Sequence, residues 1–333
     1  MTVLVPLSYF FGSPRSEIWR INTSDLTQEL WLTLPESNRA VKGKGITGLQ
    51  RINNKTLVAC DFNRVFTLNN NGNIISYYQP DDANDFHQLS VSEGLIYVAN
   101  TGRDSIDILS LELELVKRYD GLLPSEWKAR KECNYSIDSD YYDSIQLDIP
   151  FHKRRVPDKW HFNHVIKLSD SFGGKILATS FSEKRLINIS NLEPVSTVFN
   201  YQPHDGFIYQ NKMWITTVSG EIYAAELQPS LEFQRVLDLF SFLPYQGWCR
   251  GLIFAGGKLL IGITAIYENN NRSKWLTTSI ENTRTGIYQL NSETFELEHF
   301  FDFSCNEGSR VFSMLEDDTD SIYHNDKVEN YCD

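Results

Sequence analysis

His204-Asp205-Gly206-Phe207-Ile208-Tyr209, then Gln210-Asn211, then Lys212-Met213-Trp214-Ile215-Thr216-Thr217, then Ser219-Gly220 is the stretch that decides the fold. Two alternating apolar runs are divided by a polar pair, and a second polar turn leads into Glu221 to Leu227 and on to Phe233 to Leu239. Alternation bounded by Asn, Gly, Ser and Asp is the mark of short strands joined by hairpins. The stretch therefore reads as one four-stranded antiparallel unit.

The unit recurs. From His87 it gives the Glu93-Gly94 turn, Leu95 to Ala99, a polar loop Asn100 to Asp104, Ser105 to Leu109, and Leu113 to Tyr119. From Thr47 it gives Asn53-Asn54 and Asn69 to Gly72 as turns. Aligning the starts of the apolar segments sets Thr47, His87, His164, His204, Arg250 and Arg310 in one register, spaced by 40, 77, 40, 46 and 60 residues. Repeats of about 40–50 residues built of strands predict propeller blades. The expectation is one all-β domain over 1–333, a six-bladed β-propeller. Its last blade takes its inner strand from Arg310 to Glu316 and its other three from Val3 to Phe10, Glu17 to Ile21 and Gln28 to Leu34, so that both chain ends close the ring. Innermost strands start beside the central channel, which aims the six register residues at one point.

Two insertions lengthen the spacing, Gly121 to Lys159 and Tyr267 to Thr285. In a four-stranded meander the start of strand one and the loop between strands two and three share a face. Both insertions thus fall on the histidine side, and loops of this length read as a lid. The segment Asp317 to Asp333 reads as an acidic peripheral tail.

The bulk numbers narrow the function classes. Apolar residues at 41% and aromatics at 13% suffice to bury faces between blades. A net charge of −12 argues against nucleic acid and anionic membrane as partners. The five cysteines (Cys60, Cys133, Cys249, Cys305 and Cys332) are scattered and odd in number. That favours free thiols in a reducing compartment and a cytoplasmic location. The apolar run Val3 to Phe11 has no basic residue before it and is interrupted by Pro6, so it reads as a strand and not a signal peptide. No run reaches the roughly 18 apolar residues of a membrane span.

Three imidazoles converging from His87, His164 and His204 are the ligand count of a catalytic metal site with a fourth position open. His161, in Trp160-His161-Phe162-Asn163-His164, is the alternative ligand, because alternation does not say which ring points inward. Zinc is the first choice of divalent metal, and imidazole would also take iron, manganese or copper. Arg250 and Arg310 read as a fork for a carboxylate, phosphate or sulfate, or as halves of ion pairs with Asp61 or Asp205. Asp61 is the candidate catalytic carboxylate. Thr47 and Asn163 join the arginines as candidate substrate contacts, and Tyr135 to Tyr142 could add a phenol or carboxylate from the lid.

The blade starts, with Leu95-Ile96-Tyr97-Val98-Ala99-Asn100-Thr101-Gly102, resemble the six-bladed propellers of the NHL and gluconolactonase kind over nearly the whole chain. One histidine per blade is similar to the peptidyl-hydroxyglycine amidating lyases, where three histidines hold zinc and an arginine assists. That resemblance implies the same roles for His87, His164, His204 and Arg250. The leading expectation is a metal-dependent hydrolase, lyase or isomerase acting on a small anionic molecule or peptide. The alternative is a metal-free propeller that serves as a scaffold for protein or ligand binding. Transfer of a sulfate or phosphate group through a channel histidine, with no metal, is a third possibility.

Overall fold

Alternation becomes sheet, run by run. The computed structural model describes residues 1–9, 15–34, 45–132, 150–153, 158–228, 231–267 and 273–317. Among these, every strand falls in one of six antiparallel sheets, each written here from channel to rim. Five sheets follow chain order. They are β4–β7 (Gly48–Asn53, Thr56–Cys60, Val65–Asn69, Ile74–Tyr78), β8–β11 (Phe86–Ser92, Leu95–Asn100, Ser105–Ser110, Leu115–Asp120) and β12–β15 (Phe162–Lys167, Ile176–Ser180, Arg185–Asn188, Glu193–Pro194). Then come β16–β19 (Pro203–Tyr209, Lys212–Thr217, Glu221–Glu226, Gln234–Asp238) and β20–β23 (Trp248–Ala255, Lys258–Thr264, Gly286–Asn291, Leu297–Asp302).

The sixth sheet joins the chain ends. β24 (Ser309–Val311) and β25 (Leu315–Glu316) both pair with β1 (Thr2–Tyr9), which continues to β2 (Ser16–Asn22) and β3 (Thr27–Leu34). Leu7 faces Val311, Ser8 faces Arg310 and Leu4 faces Leu315. The expected closure of a six-bladed propeller is therefore present, and it removes the open edge that β1 would otherwise leave.

The core is divided as a propeller requires. Six apolar clusters of described residues each lie between two neighbouring blades. Val5, Leu7, Ile253, Leu260 and Val311 fill the seam between the closing blade and its predecessor. Ile166, Leu177, Met213 and Ile215 fill another. Alternation explains this: each central strand buries side chains on both faces, one towards each neighbour.

The first insertion departs from strand structure. Its start forms α1 (Pro124–Glu132), with Glu126 accepting the Leu123 N–H at 2.8 Å as an N-terminal cap. Phe151 and His152 return to the blades, where their carbonyls accept Asn84 Nδ2 at 2.6 Å and Asn63 Nδ2 at 2.9 Å. In the second insertion, Gln246 accepts the Thr277 N–H at 2.9 Å and also bonds the Thr277 hydroxyl. Tyr135 to Tyr142 lie outside the described residues, as does the acidic tail beyond Asp317. Asp317 itself is held by Arg51 at 2.7 Å. No described helix is long and apolar enough to cross a membrane.

Candidate functional site

Four inner strands carry the same irregularity at the same place. In β8 the pairing jumps from Phe86↔Asn100 to Leu89↔Val98, so His87 and Gln88 together oppose Ala99. In β12 Asn163 and His164 oppose Thr179. In β16 His204 and Asp205 oppose Thr216, and in β20 Arg250 and Gly251 oppose Gly262. Each is a β-bulge, one extra residue that bends the strand and re-aims a side chain. The N–H groups freed by the bulges find other acceptors: His164 N and Asp205 N each bond a threonine hydroxyl, Thr179 and Thr216, at 3.0 Å. Gly251 N reaches the Phe312 carbonyl at 3.2 Å. The closing blade has a matching step between Val311 and Leu315, which places Phe312 in the same position.

The bulges define the true register. Its inner ring is His87, Asn163, His204, Arg250 and Phe312, all buried. Two residues before each of these along the chain come Asp85, His161, Gln202, Trp248 and Arg310, at the lip. Alignment on the apolar run that follows the register residue shifts His164 by one place and Arg310 by two. Alignment on the apolar residue before it (Phe86, Phe162, Pro203, Cys249, Val311) would have avoided both shifts. β4 has no such bulge. There Thr47 donates its hydroxyl to the Phe86 carbonyl at 2.8 Å, tying two blades together.

Three imidazoles do meet, with the alternative His161 in place of His164. His87 packs edge-on against His161, with ring centroids 5.1 Å apart, and lies 5.9 Å from His204. Phe312 sits 5.7 Å from His87 and 5.9 Å from His204. The Arg250 guanidinium stacks on Phe312 at 3.9 Å and lies 4.8 Å from the Trp248 ring. Phe181 links Trp248 to His161, at 6.3 Å and 4.8 Å. His87, His161, Phe181, Trp248, Arg250 and Phe312 thus follow one another around the mouth. His164 instead turns its Nδ1 to Asp205 Oδ1 at 3.8 Å.

The zinc expectation is overturned here. Among the described residues no group of three or more His, Cys, Asp or Glu side chains could hold a metal ion. His87, His164 and His204 fail as a ligand set because His164 occupies the other bulge position and faces a carboxylate. The alternative, His161, rests against an imidazole edge and Phe181. Phe312 packs against both His87 and His204, and the fixed charge of Arg250 opposes a second cation beside it. The metal-dependent hydrolase, lyase or isomerase, and the three-histidine likeness to amidating lyases, fall with the metal.

The electrostatics agree with neutral rings. Burial pushes His87 down to about 3, and the neighbouring His161 and His204 add to this against the pull of Asp85. Burial lowers His164 to about 4. His204 is lowered well below its usual value, by burial first and then by Arg250. His161 differs. Burial alone would lower it, but Asp158, at 2.7 Å from its Nδ1, together with Asp85 and Asp104 outweighs burial and raises it. Asp205 is pushed up to about 6 by burial, which His164 and Arg250 only partly offset.

The remaining candidates have local roles. Asp61 pairs with Arg64 at 2.9 Å, so it is not the counter-ion of Arg250 or Arg310. Arg310 gives Nη2 to Ser8 Oγ at 2.9 Å and to the Tyr9 carbonyl at 2.6 Å, bracing the closing blade. Trp248, Phe312, Asp85 and Asp158 were not singled out in the sequence, since none carries a motif.

Asp104 positions the lip. It adopts a left-handed backbone at φ 58°, which aspartate tolerates better than most residues. Its carboxylate accepts the N–H groups of Lys159 at 2.5 Å and of Trp160 and His161 at 2.9 Å, while its carbonyl accepts Gly121 N at 2.7 Å. One residue thus clamps both ends of the first insertion and holds His161, itself at φ 50°. Asp104→Asn keeps the backbone preference but weakens the clamp. It is expected to cost about 1–3 kcal/mol in urea unfolding, and unchanged stability would contradict this role.

No family model and no curated protein matches the chain. Among solved structures it is similar to a Bacteroides caccae protein of unknown function, with TM-score 0.60 and 11% identity over 94% of this chain and 97% of that one. It is also similar to a chain of a nidogen/laminin complex, with TM-score 0.56 and 10% identity over 94% and 97%. A candidate 6-phosphogluconolactonase from Bacteroides uniformis matches with TM-score 0.51 and 14% identity over 90% and 83%. At these identities the likeness is one of fold alone: the chain shares the β-propeller architecture, and its own mouth must supply the evidence for function.

Proposed function

We propose that this chain is a metal-free propeller that binds a small anionic ligand in the mouth formed by the inner-strand bulges. The supporting observation is the repeated bulge, which brings His87, Asn163, His204 and Arg250 from four consecutive blades to one level. A purely apolar seam would gain more from burying hydrocarbon there, because buried polar groups cost free energy unless they are paired. Arg250 is the anion-binding group, stacked on Phe312 so that its guanidinium plane is fixed. Trp248, Phe181 and His161 form a lip suited to a flat ligand. The chain works as one domain with its two insertions on the mouth side. The free thiols of Cys60, Cys249 and Cys305 favour a cytoplasmic setting.

Benzoate is a suitable probe, a flat ring with one carboxylate. Calorimetry is expected to find one saturable site per chain. Arg250→Lys should weaken it about tenfold or more, because an ammonium loses the two-pronged contact. Full affinity in both Arg250→Lys and Arg250→Leu would remove the anion reading.

A further inference from the structure

Three consecutive blades place a hydrogen-bond acceptor at the first bulge position, and the fourth places a donor. His87 has its Nδ1 3.0 Å from the Asp85 carbonyl oxygen. A carbonyl can only accept, so Nδ1 carries the proton and Nε2 of the neutral ring is a bare lone pair. His204 Nδ1 lies 3.1 Å from Asp205 Oδ2, which sets the same tautomer. Among the described residues neither Nε2 takes a hydrogen bond. Asn163 gives its Nδ2 to the Pro203 carbonyl at 3.2 Å, which turns Oδ1 to the other side. That Oδ1 is fully buried and has no protein partner. Burial keeps both rings neutral, so these atoms remain acceptors at neutral pH.

A buried acceptor without a donor costs about 1–3 kcal/mol. Asn163 Oδ1 is such an atom, and with the two Nε2 lone pairs at the same level it favours a ligand that brings donors. A simple anion such as sulfate has none to bring: it would satisfy Arg250 and repel the lone pairs beside it.

We infer that the ligand is a flat carboxylate that also carries hydroxyl or N–H donors, read by His87 Nε2, Asn163 Oδ1 and His204 Nε2 while Arg250 holds the carboxylate. This rests on the anion-binding reading above and makes it more specific. His87, Asn163 and His204 are then specificity determinants: they discriminate between anions of the same shape by the donors those anions present. Sites built to hydrogen-bond a ligand hydroxyl reject the analogue that lacks it, because the site's own polar groups are left unpaired.

The test is a pair of calorimetric titrations, with benzoate and with 3,4-dihydroxybenzoate, on the full chain. Wild type is expected to bind the dihydroxy compound at least about tenfold tighter, equivalent to roughly 1.4 kcal/mol. His87→Phe keeps a ring of similar size without the acceptor and is expected to collapse the affinity ratio towards one. His87→Gln, whose side-chain oxygen can reach the place of Nε2, is expected to keep most of it. Equal affinities in wild type, with benzoate bound, would overturn the donor inference and leave the anion site standing. A ratio unmoved by His87→Phe would also overturn it. Failure of both compounds to bind would overturn the two readings together.

Discussion

A chain ending at Gly308 is expected not to fold. It lacks β24 and β25, so β1 becomes an edge and the ring of blades is left open. Val311, Phe312 and Met314 are all at most 2% exposed, and each buried side chain of this kind contributes about 1.5–3 kcal/mol. Their sum, roughly 5–9 kcal/mol, is comparable with the whole stability of an ordinary domain. Arg310 would also withdraw its bonds to Ser8 and Tyr9. Circular dichroism and calorimetry should find a loss of the cooperative transition. A chain ending at Asp317 keeps both strands and serves as the control. If the shorter chain melted cooperatively within a few degrees of the control, the closing strands would not carry the stability assigned to them.

Acid is the second large effect. His87, His164 and His204 are depressed in the folded chain, to about 3, about 4 and well below the usual value, chiefly by burial. Unfolded, each would titrate near pH 6.5. Below that pH the unfolded chain therefore binds more protons than the folded one, and stability falls as pH falls. The contribution of these rings is whole above pH 6.5 and is lost on the way down to their folded values. Asp205, raised to about 6, acts in the opposite sense between about pH 4 and 6. His161, raised by Asp158, gives stability that is lost only as pH rises through its folded value. Three rings outweigh one carboxylate, each worth about 1 kcal/mol per pH unit in the window. Urea unfolding is expected to lose about 2–4 kcal/mol between pH 6.5 and 5. A flat or rising profile there would mean that the rings are hydrated or already charged.

The fold was readable because alternation and turn residues are local. The strands expected from His204 to Leu239 lie within a residue or two of β16 to β19, and the closure by both termini follows from where the last alternating run falls. The mouth was only half readable. A bulge adds one residue to a strand without changing its composition, so the register of Asn163 and His164 could not be fixed by apolar spacing. The same slip drew Arg310 inward and hid Phe312, a phenylalanine that looked like ordinary core. His161 was visible as a histidine, but its placement depends on Asp104, which lies 57 residues earlier. Long-range clamps of this kind leave no periodic trace.

The most direct measurement is a calorimetric titration of benzoate into chelator-stripped protein, repeated after adding one equivalent of zinc. The account predicts one site per chain in the stripped protein, and the same affinity with zinc present. Binding that appears only once zinc is restored would contradict it.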